Sequence, residues 1–188
     1  MTPTAWSTPH TGPRIEDDVV QFFRDKVAMP HPGRLISRPR LVRMFTDAVD
    51  ARLVVVSAPA GFGKTTAMVD WLAHSELDCV WLSLDADDND LSMFLRYLWA
   101  AIAGTPPRLG QVGSGTPDAG EAIGEIVAEL SRGTTPAVVV LDDVHLIVSP
   151  EVQAAVRLLL EHLPGHVRLV VAGRHDPALA LSLLRARA

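Results

Sequence analysis

A glycine-rich segment at residues 57–66 has the residue types of a loop that binds phosphate. It reads Ser-Ala-Pro-Ala-Gly-Phe-Gly-Lys-Thr-Thr. Gly61 and Gly63 allow the backbone to curl until several amide N–H groups face one phosphate. The generic phosphate loop has glycine where this chain has Ala58, so the strict pattern fails at one position. The remaining spacing predicts a nucleotide site with contacts from Ala60, Gly61, Phe62, Gly63, Lys64, Thr65 and Thr66.

Three side chains of this segment have the chemistry that a nucleotide and its metal ion need. The Lys64 ammonium would reach the β- and γ-phosphates as a point charge, which makes it a candidate catalytic residue. The Thr65 hydroxyl would ligate Mg²⁺, and Thr66 would touch the α-phosphate. The alternative is a glycine turn that begins an ordinary helix. The position between a predicted strand and a predicted helix favours the phosphate loop.

Two adjacent carboxylates, Asp142 and Asp143, end an apolar segment that is typical of a buried strand. A carboxylate at the carboxyl end of a strand near a phosphate loop holds Mg²⁺ through water, and we assign that role to Asp142. Asp143 is then positioned to orient or deprotonate the attacking water. An aspartate reaches one methylene less far than the glutamate of many hydrolytic motors, which predicts slow hydrolysis. The alternative is that both acids begin a solvated loop.

A further cation, Arg174, follows another apolar segment near the carboxyl terminus. A cation at this strand end, beside the strand that carries the acids, could sense the γ-phosphate. Arg174 is therefore the third candidate catalytic residue. A solvated arginine or a surface ion pair would explain the same residue.

Four short apolar segments predict the strands that carry these residues, at residues 53–56, 79–84, 137–141 and 167–172. Helical patterns lie between them, and Ser149 with Pro150 marks the start of one helix. Strands that alternate with helices predict an α/β fold with a parallel sheet and right-handed crossovers. Residues 104–118 are rich in Gly, Pro, Ser and Thr, which predicts a surface loop.

The composition is that of a globular domain. The 188 residues are 48% hydrophobic and 21% charged, which suffices for a sizeable core. A net charge of -5 argues against a protein that coats nucleic acid by electrostatics. A single cysteine excludes an internal disulfide framework. With no visible secretory signal or membrane-spanning apolar segment, we expect a cytoplasmic protein with no membrane partner.

Several stretches of the chain, taken in order, resemble a known family. The chain resembles the N-terminal ATPase domain of the large MalT-like, LuxR-type transcriptional regulators, a branch of the STAND P-loop NTPases. The resemblance extends from about Lys26 to the carboxyl terminus. The stretches that carry it are residues 37–41, 57–66, 80–85, 88–90 and 141–147, and Arg174 with Asp176-Pro177. Ala58 in the phosphate loop is usual in this family.

The resemblance implies a fold, ligands and a mode of action. The fold is a P-loop NTPase three-layer sandwich, in which helices flank a parallel sheet that is truncated after its fourth clear strand. The ligands are ATP and Mg²⁺, and slow hydrolysis resets an active, self-associating state. The segment Arg38, Pro39 and Arg40 is expected to lie near the adenine and ribose.

The residue pattern of the N-terminal segment and the resemblance together predict the domain organisation, and the resemblance predicts the partners. Residues 1–33 are expected to form a flexible tail with a short helix, and residues 34–188 a P-loop ATPase domain that is incomplete at its carboxyl end. The expected partners are ATP, ADP and further copies of the full-length regulator. Direct DNA binding is not expected of this chain, because the helix-turn-helix of the family would lie in missing C-terminal sequence.

Two alternatives stay open at this point. A P-loop kinase or other small-molecule phosphotransferase would need an acceptor pocket and an arginine-rich lid. Residues 104–135 offer only Arg108 and Arg132 for such a lid. The second alternative is a remnant that keeps the nucleotide-binding fold but does not turn over ATP.

Overall fold

The structure is a computed structural model that describes residues 25–31, 33, 36–104 and 118–174. Most of the predicted tail and of the predicted surface loop, and the segment after Arg174, lie outside these residues, so the domain boundaries stay a prediction. The described strands are β1 (Leu53–Ser57), β2 (Asp78–Ser83), β3 (Ala137–Asp142) and β4 (Val167–Gly173). The described helices longer than one turn are α1 (Pro39–Ala48), α2 (Lys64–Ala73), α3 (Leu91–Ala103), α4 (Ala119–Leu130) and α5 (Pro150–His162). Short 3-10 turns, Ala86–Asn89 and Val144–Leu146, follow β2 and β3.

The described strands form one parallel sheet in the order β1-β4-β3-β2. The prediction of a parallel α/β sheet is confirmed, and each strand agrees with its predicted bounds to within about one residue at either end. Strand β4 separates β1, which leads into the phosphate loop, from β3, which leads into the two acids. Because the strands are parallel, their carboxyl ends share one edge, and the loops that follow them meet there.

Helices cover both faces of the sheet, so the predicted three-layer sandwich is confirmed. Alternate residues of β3 point to opposite faces. Val139 and Leu141 pack with α3, α4 and α5, whereas Val138 and Val140 pack with α2, whose Trp71 is fully buried. The strands are apolar on both faces, as parallel strands between two helical layers have to be.

Helices α3, α4 and α5 begin at side-chain caps. Ser149 caps α5, because its hydroxyl accepts the N–H of Val152 at 3.4 Å and Pro150 is the first helical residue. This confirms the predicted start of that helix. Asp90 and Asp118 cap α3 and α4 in the same way and satisfy N–H groups that a helix terminus leaves without partners. Among the described helices, none combines the length and apolarity needed to cross a membrane.

Lys26 ties the segment before α1 to the turn that follows β2. Its side chain is buried, and Nζ lies 2.7 Å from Oδ2 of Asp85 and 2.8 Å from Oδ2 of Asp88. The ammonium also lies 4.2 Å from the centre of the Tyr97 ring. Burial alone would lower the pKa of Lys26, but the hydrogen bonds and charges of the two aspartates outweigh it and raise the pKa. Burial raises the pKa of Asp88, so this carboxylate depends on its cation.

We expect Lys26→Ala to lower the free energy of unfolding by about 3 kcal/mol, because Asp88 would stay buried without its cation. Urea denaturation followed by tryptophan fluorescence measures the change. Asp87→Ala removes an exposed acid of the same turn and is the matched control, with an expected cost below about 0.5 kcal/mol. Equal effects of the two substitutions would contradict a stabilising buried ion pair.

Candidate nucleotide-binding site

The loop after β1 has the backbone shape that its glycines predict. Gly61 and Gly63 have φ of +78° and +76°, a left-handed conformation that other residues adopt only with strain. Gly63 lies directly before α2, so the loop leads into a helix N-terminus. The first N–H groups of α2 and the partial positive charge of that terminus are therefore available to an anion held in the loop.

The two polar side chains at the start of α2 each have a partner. Lys64 Nζ donates to the carbonyl oxygen of Ala58 at 3.0 Å, so this side chain lies back across the loop. Thr65 Oγ1 donates to Oδ2 of Asp142 at 2.7 Å. The second contact joins the phosphate loop to the end of β3, although β4 lies between β1 and β3. It brings together the two side chains that we expect to hold Mg²⁺.

The remaining loop residues lie at its outer side. Ala60 is exposed, and the Phe62 residue is 65% exposed. Thr66 is half-buried in the first turn of α2. The loop is therefore open to a ligand, and its backbone is the part that a phosphate would contact.

Asp142 is buried at the end of β3, and both of its oxygens accept hydrogen bonds. Oδ2 accepts the Thr65 hydroxyl, and Oδ1 accepts the N–H of Asp143 at 2.9 Å. Burial raises the pKa of Asp142, and the hydrogen bond from Thr65 acts in the opposite direction. A carboxylate oriented by hydrogen bonds in this way presents a positioned oxygen to a cation.

These residues fit Mg²⁺ as part of a nucleotide complex rather than as a closed protein site. Within the described part of the chain, no group of three or more His, Cys, Asp or Glu could hold a metal ion. Mg²⁺ that is bound with a nucleotide uses one or two protein ligands and completes its shell with phosphate oxygens and water. The Thr65 hydroxyl and the Asp142 carboxylate are oxygens of this kind.

Asp143 is the one non-glycine residue with a positive φ, +57°, in the part of the chain that the structure describes. This backbone conformation is strained and is often found where a functional side chain has to be held. Asp143 begins the turn Val144–Leu146, and its side chain is 43% exposed. His145 Nδ1 lies 3.6 Å from its Oδ1, and burial lowers the pKa of His145. The carboxylate of Asp143 is more exposed than that of Asp142, so it is the better placed of the two to contact bulk water.

Arg174 follows β4 at the same edge of the sheet. The Arg174 side chain is exposed. The pKa of His145 is lowered by the burial of its own side chain, and the positive charge of Arg174 acts in the same direction. Gly173 packs so closely on the turn after β3 that an added Cβ would lie 3.3 Å from Cγ2 of Val144. The close packing brings Arg174 and the loop of Asp143 to one edge, with the guanidinium open to a ligand.

Of the three residues expected near adenine and ribose, Arg38 contacts the phosphate loop. Arg38 Nη1 donates to the carbonyl oxygen of Phe62 at 3.2 Å. The backbone N–H of Arg38 donates to Oδ2 of Asp70 at 3.0 Å. Pro39 is the first residue of α1, and Arg40 is exposed on that helix. A contact of these residues with a nucleoside stays a prediction.

The sequence reasoning missed two residues that shape the site. Asp70 is a buried acid within the apolar residues 67–72 of α2, and an acid in such a stretch is a signal for a buried polar contact. Asn89 holds the loop that follows Asp143. Its side chain donates to two carbonyl oxygens and accepts two N–H groups at 2.7 to 3.0 Å, those of Ala86, Leu146, Val148 and Ser149.

Two curated proteins are similar to most of this chain. It is 34% identical over 170 residues to the HTH-type transcriptional regulator MalT of Cronobacter sakazakii, and 34% identical over 168 residues to that of Vibrio cholerae. Each alignment covers 85% of the chain. This chain is related to the MalT regulators. The resemblance inferred from its motifs is confirmed.

This chain spans 18% of the length of either curated protein. The chain matches no protein-family model. Its structure resembles that of the Aeropyrum pernix ORC1 protein in complex with DNA, with a TM-score of 0.56 and 18% sequence identity over 81% of this chain and 44% of that chain. At this identity the likeness concerns the fold alone. The shared fold is a three-layer α/β sandwich with a parallel sheet, as the sequence predicts.

We expect Lys64→Ala to weaken ATP binding at least about tenfold, because the charge-assisted contacts to the phosphates are lost. Asp142→Ala should remove mainly the dependence of the affinity on Mg²⁺, because the phosphate loop stays intact. Calorimetric titration with and without Mg²⁺ measures both effects. Arg132→Ala removes an exposed cation beyond α4 and serves as the control. Unchanged ATP affinity in Lys64→Ala would refute the phosphate site.

Proposed function

We propose that this MalT relative is an ATP-binding switch domain that hydrolyses ATP slowly. The observation that carries the proposal is the 2.7 Å hydrogen bond between Thr65 Oγ1 and Asp142 Oδ2. It joins a glycine-rich loop at a helix N-terminus with a buried acid at the end of β3. Phosphate groups and Mg²⁺ are held by this combination in nucleotide-binding proteins.

The phosphates would be bound mainly by the backbone of the loop. The N–H groups of the loop and the N-terminus of α2 would form the anion site. The N–H of Phe62 is an exception, because it donates to the carbonyl oxygen of Pro59 at 3.4 Å. Lys64 would exchange its hydrogen bond to Ala58 for contacts with the β- and γ-phosphates. Thr65 and Asp142 would hold Mg²⁺, which when bound neutralises charge on the phosphate oxygens.

Asp143 would orient the attacking water and accept its proton. Its side chain is 43% exposed, whereas Asp142 is buried, and this difference supports separate roles for the two acids. Asp143 reaches less far than a glutamate would, so the water is held less closely and hydrolysis is slow. Arg174, exposed at the end of the neighbouring strand, would contact the γ-phosphate and respond to its loss.

Slow hydrolysis suits a regulator rather than a motor. In the full-length protein the ATP-bound state would be the active, self-associating one, and hydrolysis would reset it. The curated relatives are HTH-type transcriptional regulators, and this chain spans 18% of their length. We therefore assign DNA binding to another part of such a protein, in agreement with the net charge of -5. A regulator of this kind acts in the cytoplasm.

We expect a steady-state turnover of ATP below about 10 s⁻¹, the median for enzymes. Asp143→Asn should lower it at least about tenfold further and preserve the affinity for ATP, because the loss concerns the proton acceptor. A phosphate-release assay measures turnover, and calorimetry measures affinity.

Asp87→Asn removes an exposed acid outside the site and is the control for this assay. Turnover above about 10 s⁻¹ would contradict a slow switch. Transfer of phosphate to a small acceptor would favour the phosphotransferase. A chain that binds ATP and releases no phosphate would be the remnant without turnover.

A further inference from the structure

The guanidinium of Arg38 lies against one side of the phosphate loop. Its Nη1 donates to the carbonyl oxygen of Phe62 at 3.2 Å. Both terminal nitrogens lie 3.6 Å from the position that a Cβ on Gly63 would take. Arg38 thus contacts the peptide group that joins Phe62 to Gly63, and contacts it at the carbonyl.

The geometry of a peptide group gives this contact a consequence on the other side of the loop. In a trans peptide the carbonyl and the N–H point in opposite directions. Since the Phe62 carbonyl is directed at Arg38, the Gly63 N–H is directed away from it. The Gly63 N–H forms no hydrogen bond with a described residue, so it is available to an anion.

Asp70 fastens Arg38 in this position. The Asp70 residue is 3% exposed in α2, and its Oδ2 accepts the backbone N–H of Arg38 and the hydroxyl of Ser37, both at 3.0 Å. Hydrogen bonds to a carboxylate are stronger than those between neutral groups. The segment before α1 is therefore tied to the same helix whose N-terminus the phosphate loop leads into.

We propose that Arg38 is a positioning residue for the phosphate loop and that Asp70 holds Arg38 in place. Arg38 orients the Phe62–Gly63 peptide, so the Gly63 N–H is directed at a phosphate before the nucleotide arrives. Donors that are oriented beforehand need no reorganisation on binding, which raises the affinity for the phosphate chain. The inference rests on the proposed binding of ATP. It differs from a contact of Arg38 with adenine and ribose, because it concerns the phosphates whatever the base.

ATP and inorganic tripolyphosphate, each titrated calorimetrically with Mg²⁺, separate the two roles. Arg38→Met should weaken the binding of both ligands about fivefold, which corresponds to the loss of one hydrogen bond of typical net strength. Arg38→Lys should recover part of the loss, because an ammonium can also donate to the Phe62 carbonyl. Arg43→Met removes an exposed arginine of α1 and is the matched control, with both affinities unchanged.

Asp70→Ala distinguishes orientation from simple charge. Removing an acid near the loop would strengthen anion binding if Coulomb attraction alone mattered. We expect the opposite, weaker binding of both ligands, because Arg38 loses its anchor. Thermal unfolding checks that this variant folds. If Asp70→Ala does not fold, Ser37→Ala replaces it. Ser37→Ala removes one of the hydrogen bonds to Asp70 and should weaken the binding of both ligands about twofold.

Three results would overturn this inference without contradicting the proposed function. The first is weaker binding of ATP in Arg38→Met with tripolyphosphate unaffected, which would assign Arg38 to the nucleoside. The second is unchanged binding of both ligands in Arg38→Met. The third is tighter binding of the two ligands in Asp70→Ala. If the unsubstituted chain binds neither ligand, the proposed function fails and the inference fails with it.

Discussion

The candidate site depends on the parallel pairing of β1, β4 and β3, which carries three loops to one edge of the sheet. These strands lie between two helical layers and are apolar on both faces, so burial as well as hydrogen bonding sets their register. With β4 between them, β1 and β3 are about 10 Å apart. The phosphate loop and the first turn of α2 carry Thr65 across that gap, so its hydroxyl lies 2.7 Å from Oδ2 of Asp142. A slip of β3 by one residue would turn Asp142 to the opposite face and break the contact.

Two neighbouring acids differ in burial and backbone strain, and this difference gives the site its chemistry. Asp142 is in regular β-structure, buried and oriented by two hydrogen bonds, so it is suited to hold a cation. Asp143 leaves the strand with a φ of +57° and is half exposed, so it is suited to meet water. The nearby His145 has a pKa lowered by burial, so near neutral pH it adds little positive charge beside these acids. Among the described residues, Lys64 and Arg174 are cations at this edge that could act on a nucleotide.

The strands and the phosphate loop could be predicted from the sequence because both are encoded by local patterns. Valine-rich segments gave strand bounds close to those observed, and the spacing of Gly61 and Gly63 gave the curled loop. The strand order could not be predicted, because it depends on which apolar faces pack together. The contacts of Arg38 with Asp70 and of Asn89 with Leu146 join residues 32 and 57 positions apart, and no local pattern encodes such a pairing. The short turn Val144–Leu146 was also missed, because it depends on the left-handed backbone of a single residue.

The segment before β1 contacts both halves of the site. On one side Arg38 holds the phosphate loop and is itself held by α2. On the other side Lys26 binds the acids of the turn after β2, and Asn89 of that turn holds the backbone of the loop that follows Asp143. A displacement of this segment would therefore reach the groups that we propose to bind the phosphates and the acid that we propose to face the attacking water. A switch needs such a connection, because a ligand alters a distant surface only through contacts that differ between two states.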